Sequence, residues 1–296
     1  MTNGIECFDG PCVPDMKFVC QSCSIKPPHK PKMFYGMIGG TGTDKKLNDG
    51  YVPYVIVSAA SMWTGKKFKR WIPPKHDLKF IDSGGFSFFS KWGEYPFDLQ
   101  TYLELADREH PDFLATRDYP CEPKARSGKS VRDRIDHGLR NARECLAHDN
   151  YPWVTVIQGY HEDDYQYSCQ QIKDLGLQTR LMAIGSLCIR KRIAEVCRIL
   201  RTIRRNFPNQ RLHGFGIDLR FLRDAYIREN LWSCDTQAWQ FGDYLVDGKH
   251  YHLPASEAHK LIRFKEYKAQ VDQLLSILDG VPRFGLAPDS LKDGEG

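Results

Sequence analysis

Asp82 stands between an apolar run and two glycines, in the stretch LKFIDSGGFSFF at 78–89. A short apolar run closed by glycine reads as a buried strand, so Asp82 falls where the strand stops and a tight turn begins. Gly84 and Gly85 can take positive φ and let a ligand come close to the backbone. An acid at the C-terminal end of a parallel strand is where barrel and doubly wound enzymes hold their chemistry. An aspartate that merely caps the next helix would look the same in isolation. The arrangement recurs, however. Asp118 follows FLATR, Gln158 and Gly159 follow WVTVI, Gly185 and Ser186 follow LMAI, Gly214 and Gly216 lie in LHGFG, and Asp235 follows LWSC. Three carboxylates, a carboxamide and several bare backbone positions would then converge on one face. Two converging aspartates can divide nucleophile and acid/base roles in displacement at an anomeric carbon. The third acid, the carboxamide and backbone groups could read a planar heterocycle, with Phe86, Tyr160 or Phe215 stacking on it. Guanine, which offers N1–H and 2-amino donors and an O6 acceptor, suits Asp118 with Gln158 and backbone N–H groups.

Such a convergence needs a scaffold with parallel strands. Apolar runs at 33–38, 54–59, 78–81, 113–116, 153–157, 181–184, 212–215 and 231–234 alternate with amphipathic stretches. Those at 97–109, 131–147, 189–207 and 219–229 carry apolar residues at helical spacing. Alternating β and α implies a parallel sheet with right-handed crossovers. About eight such units in roughly 250 residues is the arithmetic of a (β/α)8 TIM-like barrel, with a doubly wound open sheet as the alternative. A long helix at 256–278 could close the barrel. The expected organisation is a Cys-rich N-terminal segment (1–32), a barrel (33–280) and a C-terminal tail (281–296).

The chain has 296 residues, 41% hydrophobic and 27% charged, with 42 basic and 37 acidic residues for a net charge of +5. That fits an ordinary globular α/β protein and permits a polyanionic partner without requiring one. No apolar run is long enough to span a bilayer and no secretory signal is evident. Ten cysteines, six of them scattered singly through the body, suit a reducing, cytoplasmic setting better than a disulfide scaffold. In the N-terminal segment Cys7, Cys12, Cys20 and Cys23, the last two as CQSC, could hold Zn2+ tetrahedrally, with His29 able to replace one thiolate. An iron–sulfur cluster and unliganded cysteines are the alternatives. Basic clusters occur at 66–70, at Lys124, Arg126 and Lys129, and at Arg190, Lys191 and Arg192. The last two follow the Asp118 and IGSL positions, where they suit phosphate contacts.

IDSGGF, IQG, IGSL, HGFG and the aspartate of SCDTQAW occur in the order found in tRNA-guanine transglycosylases, which this chain resembles over most of 33–239. IDSGGF is the most specific of these elements. That family is a (β/α) barrel exchanging guanine in a polynucleotide for a 7-deazaguanine. The resemblance implies Asp235 as the nucleophile at C1′ and Asp82 as the general acid/base. It implies Asp118 and Gln158, followed by Gly159, as readers of the guanine edge, and Phe86 stacked on the base. Gly185, Ser186 and Leu187 would offer backbone contacts, and His213, beside Gly214, would face the base where the family has methionine. The chain departs from the tRNA enzymes in several ways. Ser87 replaces the usual glutamine, TQAW follows Asp235 in place of Pro-Thr-Arg, and the C-terminal CxCxxC zinc motif is absent. These features look more like the DNA-modifying, DpdA-like branch of phages and bacterial DNA-modification clusters. DNA is therefore the expected partner, with tRNA and a non-catalytic nucleic-acid-binding barrel as alternatives. A 7-deazaguanine such as the 7-cyano form would be the incoming base. Enzymes of this family often form homodimers. A duplex substrate would need its guanine flipped out, at a cost of roughly a few kcal/mol. Trp71, Trp92 or Trp239 could fill the gap that the guanine leaves, and an accessory protein could open the duplex.

Overall fold

The computed structural model describes residues 30–39, 47, 50–123, 129–240, 244–246, 249–251 and 257–276. Eight parallel strands close into a barrel in sequence order. They are β1 (Lys32–Met37), β2 (Tyr54–Ser58), β3 (Leu78–Asp82), β4 (Phe113–Ala115), β5 (Trp153–Ile157), β6 (Leu181–Ile184), β7 (Arg211–Gly214) and β8 (Ser233–Thr236). The ring shuts where β8 pairs with β1, Phe34 opposite Asp235. All eight expected strands are present, within two residues of their expected ends. A parallel strand is covered on both faces, so its sequence is a continuous apolar run that contrasts with its polar surroundings. WVTVI is buried at every position.

Successive side chains point alternately into the barrel and out to the helices. Inward residues form one core: Phe34, Ile56, Phe80, Ala115, Val154, Val156, Leu181, Ala183 and Trp232. Outward residues form a larger core with the helices. The interior is dominated by aromatic rings, with Phe34 lying 5.9 Å from Phe80 and 6.1 Å from Phe113 between centroids. It is therefore a filled plug, and only its C-terminal rim is free to bind anything.

The outer shell comprises α1 (Ala59–Met62), α2 (Gly85–Trp92), α3 (Leu99–Glu109), α4 (Val131–Leu146), α5 (Glu162–Asp174), α6 (Ile193–Asn206), α7 (Leu219–Leu222) and α8 (Ala225–Asn230). After a short antiparallel pair, β9 (Tyr244–Val246) and β10 (Lys249–Tyr251), comes α9 (Glu257–Ser276). Local chemistry sets several boundaries. Asp98 caps α3 by accepting from Thr101 N–H at 2.8 Å, and Ser130 with Asp133 forms a capping box on α4. The expected helix at 219–229 divides because Asp224 accepts from Ile227 N–H and starts a new helix. α9 does not itself close the barrel, since the strands do so. It covers the seam from outside: Phe264 packs on Tyr35 and Trp239, and the Tyr267 hydroxyl meets Leu219 N–H and Thr236. No helix among the described residues is long and apolar enough to cross a membrane.

Phe34 is fully buried and touches Tyr54, Phe80, Phe113 and His213. Phe34→Ala should therefore lower unfolding stability by about 3–5 kcal/mol, measured by denaturant titration of the full chain.

Candidate active site

The period-two alternation that fills the barrel also builds its rim. Asp82 is the next inward position above Leu78 and Phe80. Gln158 comes above Val154 and Val156, Gly185 above Leu181 and Ala183, and Asp235 above Ser233. The acids and the carboxamide thus form a polar layer on top of the apolar plug.

Asp82 lies opposite Ser58 in the β2–β3 register. Its Oδ2 accepts the Gly84 N–H at 3.1 Å. That turn needs glycine, because Gly84 has φ 80° and an added Cβ would stand 2.7 Å from the Ala60 nitrogen. Burial pushes the Asp82 carboxyl up to about 7, the fields of Asp118 and Asp235 push the same way, and Gly84 N–H and the Ser58 hydroxyl oppose them. Phe86, the second residue of α2, stands 48% exposed at the rim.

Asp118 is buried, and desolvation holds its carboxyl above the usual range against the bonds it accepts. Ser83 donates to its Oδ1 at 2.6 Å and Gln158 Nε2 donates to its Oδ2. Tyr95 donates to its backbone carbonyl at 2.8 Å. Ser186 Oγ in turn donates to Gln158 Oε1 at 2.9 Å, while the Cys121 N–H points at Ser186 Oγ at 3.4 Å. A directional chain of donors therefore runs from the loop after β4, through Ser186 and Gln158, to Asp118. The Gln158 amide can occupy this position because Gly185 is bare: a Cβ there would lie 2.2 Å from Gln158 Nε2. Asp118 keeps unused lone pairs and Gln158 a second N–H, so both retain capacity for a ligand.

Asp235 is fixed through one oxygen. Its Oδ1 accepts from His213 Nε2 at 3.2 Å and from Gly216 N–H at 3.0 Å. Its Oδ2 has no hydrogen-bond partner among the described residues. His213 Nε2 must carry a hydrogen to bond a carboxylate, and its Nδ1 lies 2.8 Å from the Ser233 hydroxyl. His213 is fully buried, its ring centroid 4.9 Å from both Phe80 and Phe215. It therefore supports Asp235 from within the aromatic plug, and its edges are committed to Ser233 and Asp235.

The other expected site residues separate into groups. Gly185 N–H bonds Ile157 and its carbonyl accepts from Tyr165, so what it contributes is space. Gly159 packs on Tyr165, and Gly214 packs outward on Ile217 and Leu231. Leu187 is buried and its carbonyl accepts the Arg190 N–H. Arg190 is an internal clamp: it donates to the carbonyls of Ser186 and Tyr160 and stacks 4.6 Å over the Tyr160 ring. Lys191 and Arg192 are exposed beside it. Lys129 is also exposed, with its ammonium 3.2 Å from His137 Nδ1. Trp71 and Trp239 are buried in the shell, whereas Trp92 is 41% exposed. Lys124, Arg126, Cys7, Cys12, Cys20, Cys23 and His29 lie outside the described residues. Among the described residues no cluster of histidine, cysteine or acids could hold a metal ion.

Sequence reading missed Ser58, Ser83 and Tyr95 as partners of the acids, Cys121 and Ser233 as partners of Ser186 and His213, and Glu122 and Cys188 beside them. Only Ser83 and Ser233 carried a local signal, since each lies within two residues of a rim aspartate.

Asp82 binds its proton more tightly in the fold than in the unfolded chain, so its contribution to stability is full at acid pH and declines as pH rises from about 4 through 7. Asp82→Asn should accordingly be more stable than the wild type at pH 8, by on the order of 2–4 kcal/mol, and should gain little at pH 4. Denaturation at the two pH values checks this.

No curated protein matches the chain significantly. A family model described as DeoxyPurine in DNA protein A matches residues 46–259, which takes in seven of the eight barrel strands and every rim residue described above. With its barrel, its three rim carboxylates and that match, the chain belongs to the DpdA (DeoxyPurine in DNA protein A) family, the DNA-guanine transglycosylase branch.

Proposed function

We propose that this protein exchanges guanine in DNA for a 7-deazaguanine base, such as the 7-cyano form, through a covalent bond between Asp235 and the sugar. The observation that carries the reading is the presence on one rim of Asp235, anchored at Oδ1 with Oδ2 unengaged, and Asp82, whose carboxyl burial pushes up to about 7 with the fields of Asp118 and Asp235 adding to it.

Asp235 Oδ2 attacks C1′ of the target nucleotide. The C1′–N9 bond breaks, its electron pair leaves with guanine, and Asp82 supplies the proton that neutralises the departing base. The incoming base then gives its N9 proton to Asp82. Its nitrogen attacks C1′, and the C1′–Oδ2 bond breaks to restore the free carboxylate. A carboxyl near 7 holds both protonation states at neutral pH, which an exchange needing acid and base in alternate halves requires. His213 and Gly216 N–H orient the nucleophile and limit its motion.

Asp118 and Gln158 read the heterocycle. The lone pairs of Asp118 accept the N1–H and 2-amino groups, and the second N–H of Gln158 faces an acceptor on the base. Phe86 offers a stacking face at the rim. Lys129, Lys191 and Arg192, with Lys124 and Arg126, would contact phosphates around a flipped nucleotide.

Exchange of radiolabelled guanine, run in parallel on duplex DNA, single-stranded DNA and bulk tRNA, tests the proposal. Incorporation into DNA, abolished by Asp235→Ala, is expected. Incorporation into tRNA alone would keep the chemistry and overturn the substrate. With DNA, kcat/KM should peak near pH 7, and Asp82→Asn should lower it by about 10²–10⁴ while flattening the profile.

A further inference from the structure

The rim carries a second carboxamide, which the exchange chemistry leaves unassigned. Gly36 is the next inward position above Phe34 on β1, and Gln237 stands two residues beyond Asp235, where the chain leaves β8. Phe34 pairs with Asp235 and Tyr35 with Thr236, so the same register carries Gln237 to Gly36. The side chain lies over the glycine: a Cβ on Gly36 would collide with Gln237 Cγ and stand 3.1 Å from its Nε2. Gln158 uses the bare Gly185 in the same way. The backbone that carries Gln237 is tied down on both sides. Thr236 Oγ1 accepts the Ala238 N–H at 3.1 Å, and the Gly36 carbonyl accepts Trp239 Nε1 at 3.1 Å and Gln240 Nε2 at 2.7 Å. Trp239 is fully buried against Phe264, and Arg263 donates to the Ala238 carbonyl at 3.4 Å. Thr236 and Trp239 of the TQAW stretch are thus anchors, and Gln237 is what they hold out. Its carboxamide has no hydrogen-bond partner among the described residues, and its polar atoms reach solvent. Two N–H donors and an acceptor oxygen are therefore free for a ligand.

Position decides which part of a nucleotide Gln237 meets. The strands close in sequence order, so β4 and β5, beyond whose ends stand Asp118 and Gln158, lie across the mouth from β8 and β1. A nucleotide with C1′ at Asp235 and its base against Asp118 and Gln158 turns its heterocycle away from Gln237. The sugar and its phosphodiester oxygens remain on the Gln237 side, and in DNA these oxygens are all acceptors. We propose that Gln237 is a binding residue for the sugar–phosphate of the target nucleotide, donating an amide N–H to one of its oxygens beside the carbon that Asp235 attacks. The tied backbone leaves only the side chain to be ordered when DNA arrives. A cation at this position would neutralise the free oxygen of Asp235, whereas an amide holds the nucleotide without doing so. This role rests on the reading of the rim as a guanine-exchange site.

Two arms test it on the full-length protein. The first needs no turnover: binding of a short single-stranded DNA in which a tetrahydrofuran abasic residue replaces one guanosine, read by fluorescence anisotropy at one fixed salt concentration. That residue keeps the sugar–phosphate and lacks the base. Gln237→Ala should weaken binding about fivefold, the loss of one hydrogen bond, and equal affinity of variant and wild type would overturn the proposal. The second arm is steady-state exchange. Gln237→Ala should lower kcat/KM for DNA about fivefold, and by more than it lowers kcat/KM for free guanine, which enters after the sugar is bonded. An equal or larger fall for guanine would place Gln237 on the base and overturn the proposal. Gln237→Glu keeps the shape, removes the donor and adds a charge that repels phosphate, so it should lower kcat/KM for DNA further than Gln237→Ala. Wild-type kinetics in Gln237→Glu would overturn the proposal as well. Failure of the wild type to exchange guanine into any polynucleotide would overturn the functional reading and this inference with it. Exchange by a wild type that Gln237→Ala matches in both arms would overturn the inference alone.

Discussion

Three acids share one rim from which water is largely withdrawn, and that desolvation is the constraint that the surrounding structure answers. A carboxylate that water solvates poorly is costly unless donors replace the water, and a neighbouring like charge adds to that cost. Each acid is answered differently. Asp118 receives donors at both oxygens, from Ser83 and Gln158. Asp235 receives two donors at a single oxygen, from His213 and Gly216. Asp82 has one backbone donor and the Ser58 hydroxyl, and the proton settles there at about pH 7. Unequal hydrogen bonding thus gives three identical side chains three different environments.

Meeting these demands requires close approach, which explains the bare positions around the acids. The Gln158 amide lies over Gly185, and the backbone of Asp118 crosses within 2.8 Å of where a Cβ on Gly85 would be. Gly216 sits at φ 71° with the Cys188 side chain pressed against it, so its N–H can turn toward Asp235. These glycines do not bind through their own polar groups where those groups are already engaged. They let the groups that do bind reach one another. Ser186, a non-glycine residue at φ 58°, shows the same pressure from the other side. Its backbone is held in a sparsely populated region while its hydroxyl serves the chain from Cys121 to Gln158.

The aromatic plug beneath the rim sets the dielectric and the geometry together. Phe34, Phe80 and Phe215 surround His213, which can satisfy its two nitrogens only upward at Asp235 and sideways at Ser233. A polar ring in the plug is tolerated because both of its edges are bonded. Destabilising the plug would therefore loosen Asp235 as well as the fold.

Much of this was legible in the sequence, for physical reasons. Strands buried on both faces must be continuous apolar runs, so 153–157 and 181–184 could be bounded from composition alone. A period of two then fixes which residue tops each strand, which brings out Asp82, Gln158, Gly185 and Asp235 without coordinates. The helices were less legible. α2 opens on glycine and aromatic residues that also suit a strand, and α5 buries only Asp164, Tyr165, Ser168, Cys169 and Ile172 in an otherwise polar stretch. What the sequence could not supply is the partner of each charged group. Arg190 reads as one of a run of phosphate-binding cations, yet the fold turns it onto two carbonyls and the Tyr160 ring. His213 occupies the position of a base-facing residue, yet the register of β7 on β8 commits it to Asp235. Glu122 had no motif at all. Hydrogen bonding and desolvation act between residues far apart in the chain. The sequence by itself therefore determined which residues reach the rim, and only the tertiary structure decided which of them are free to act there.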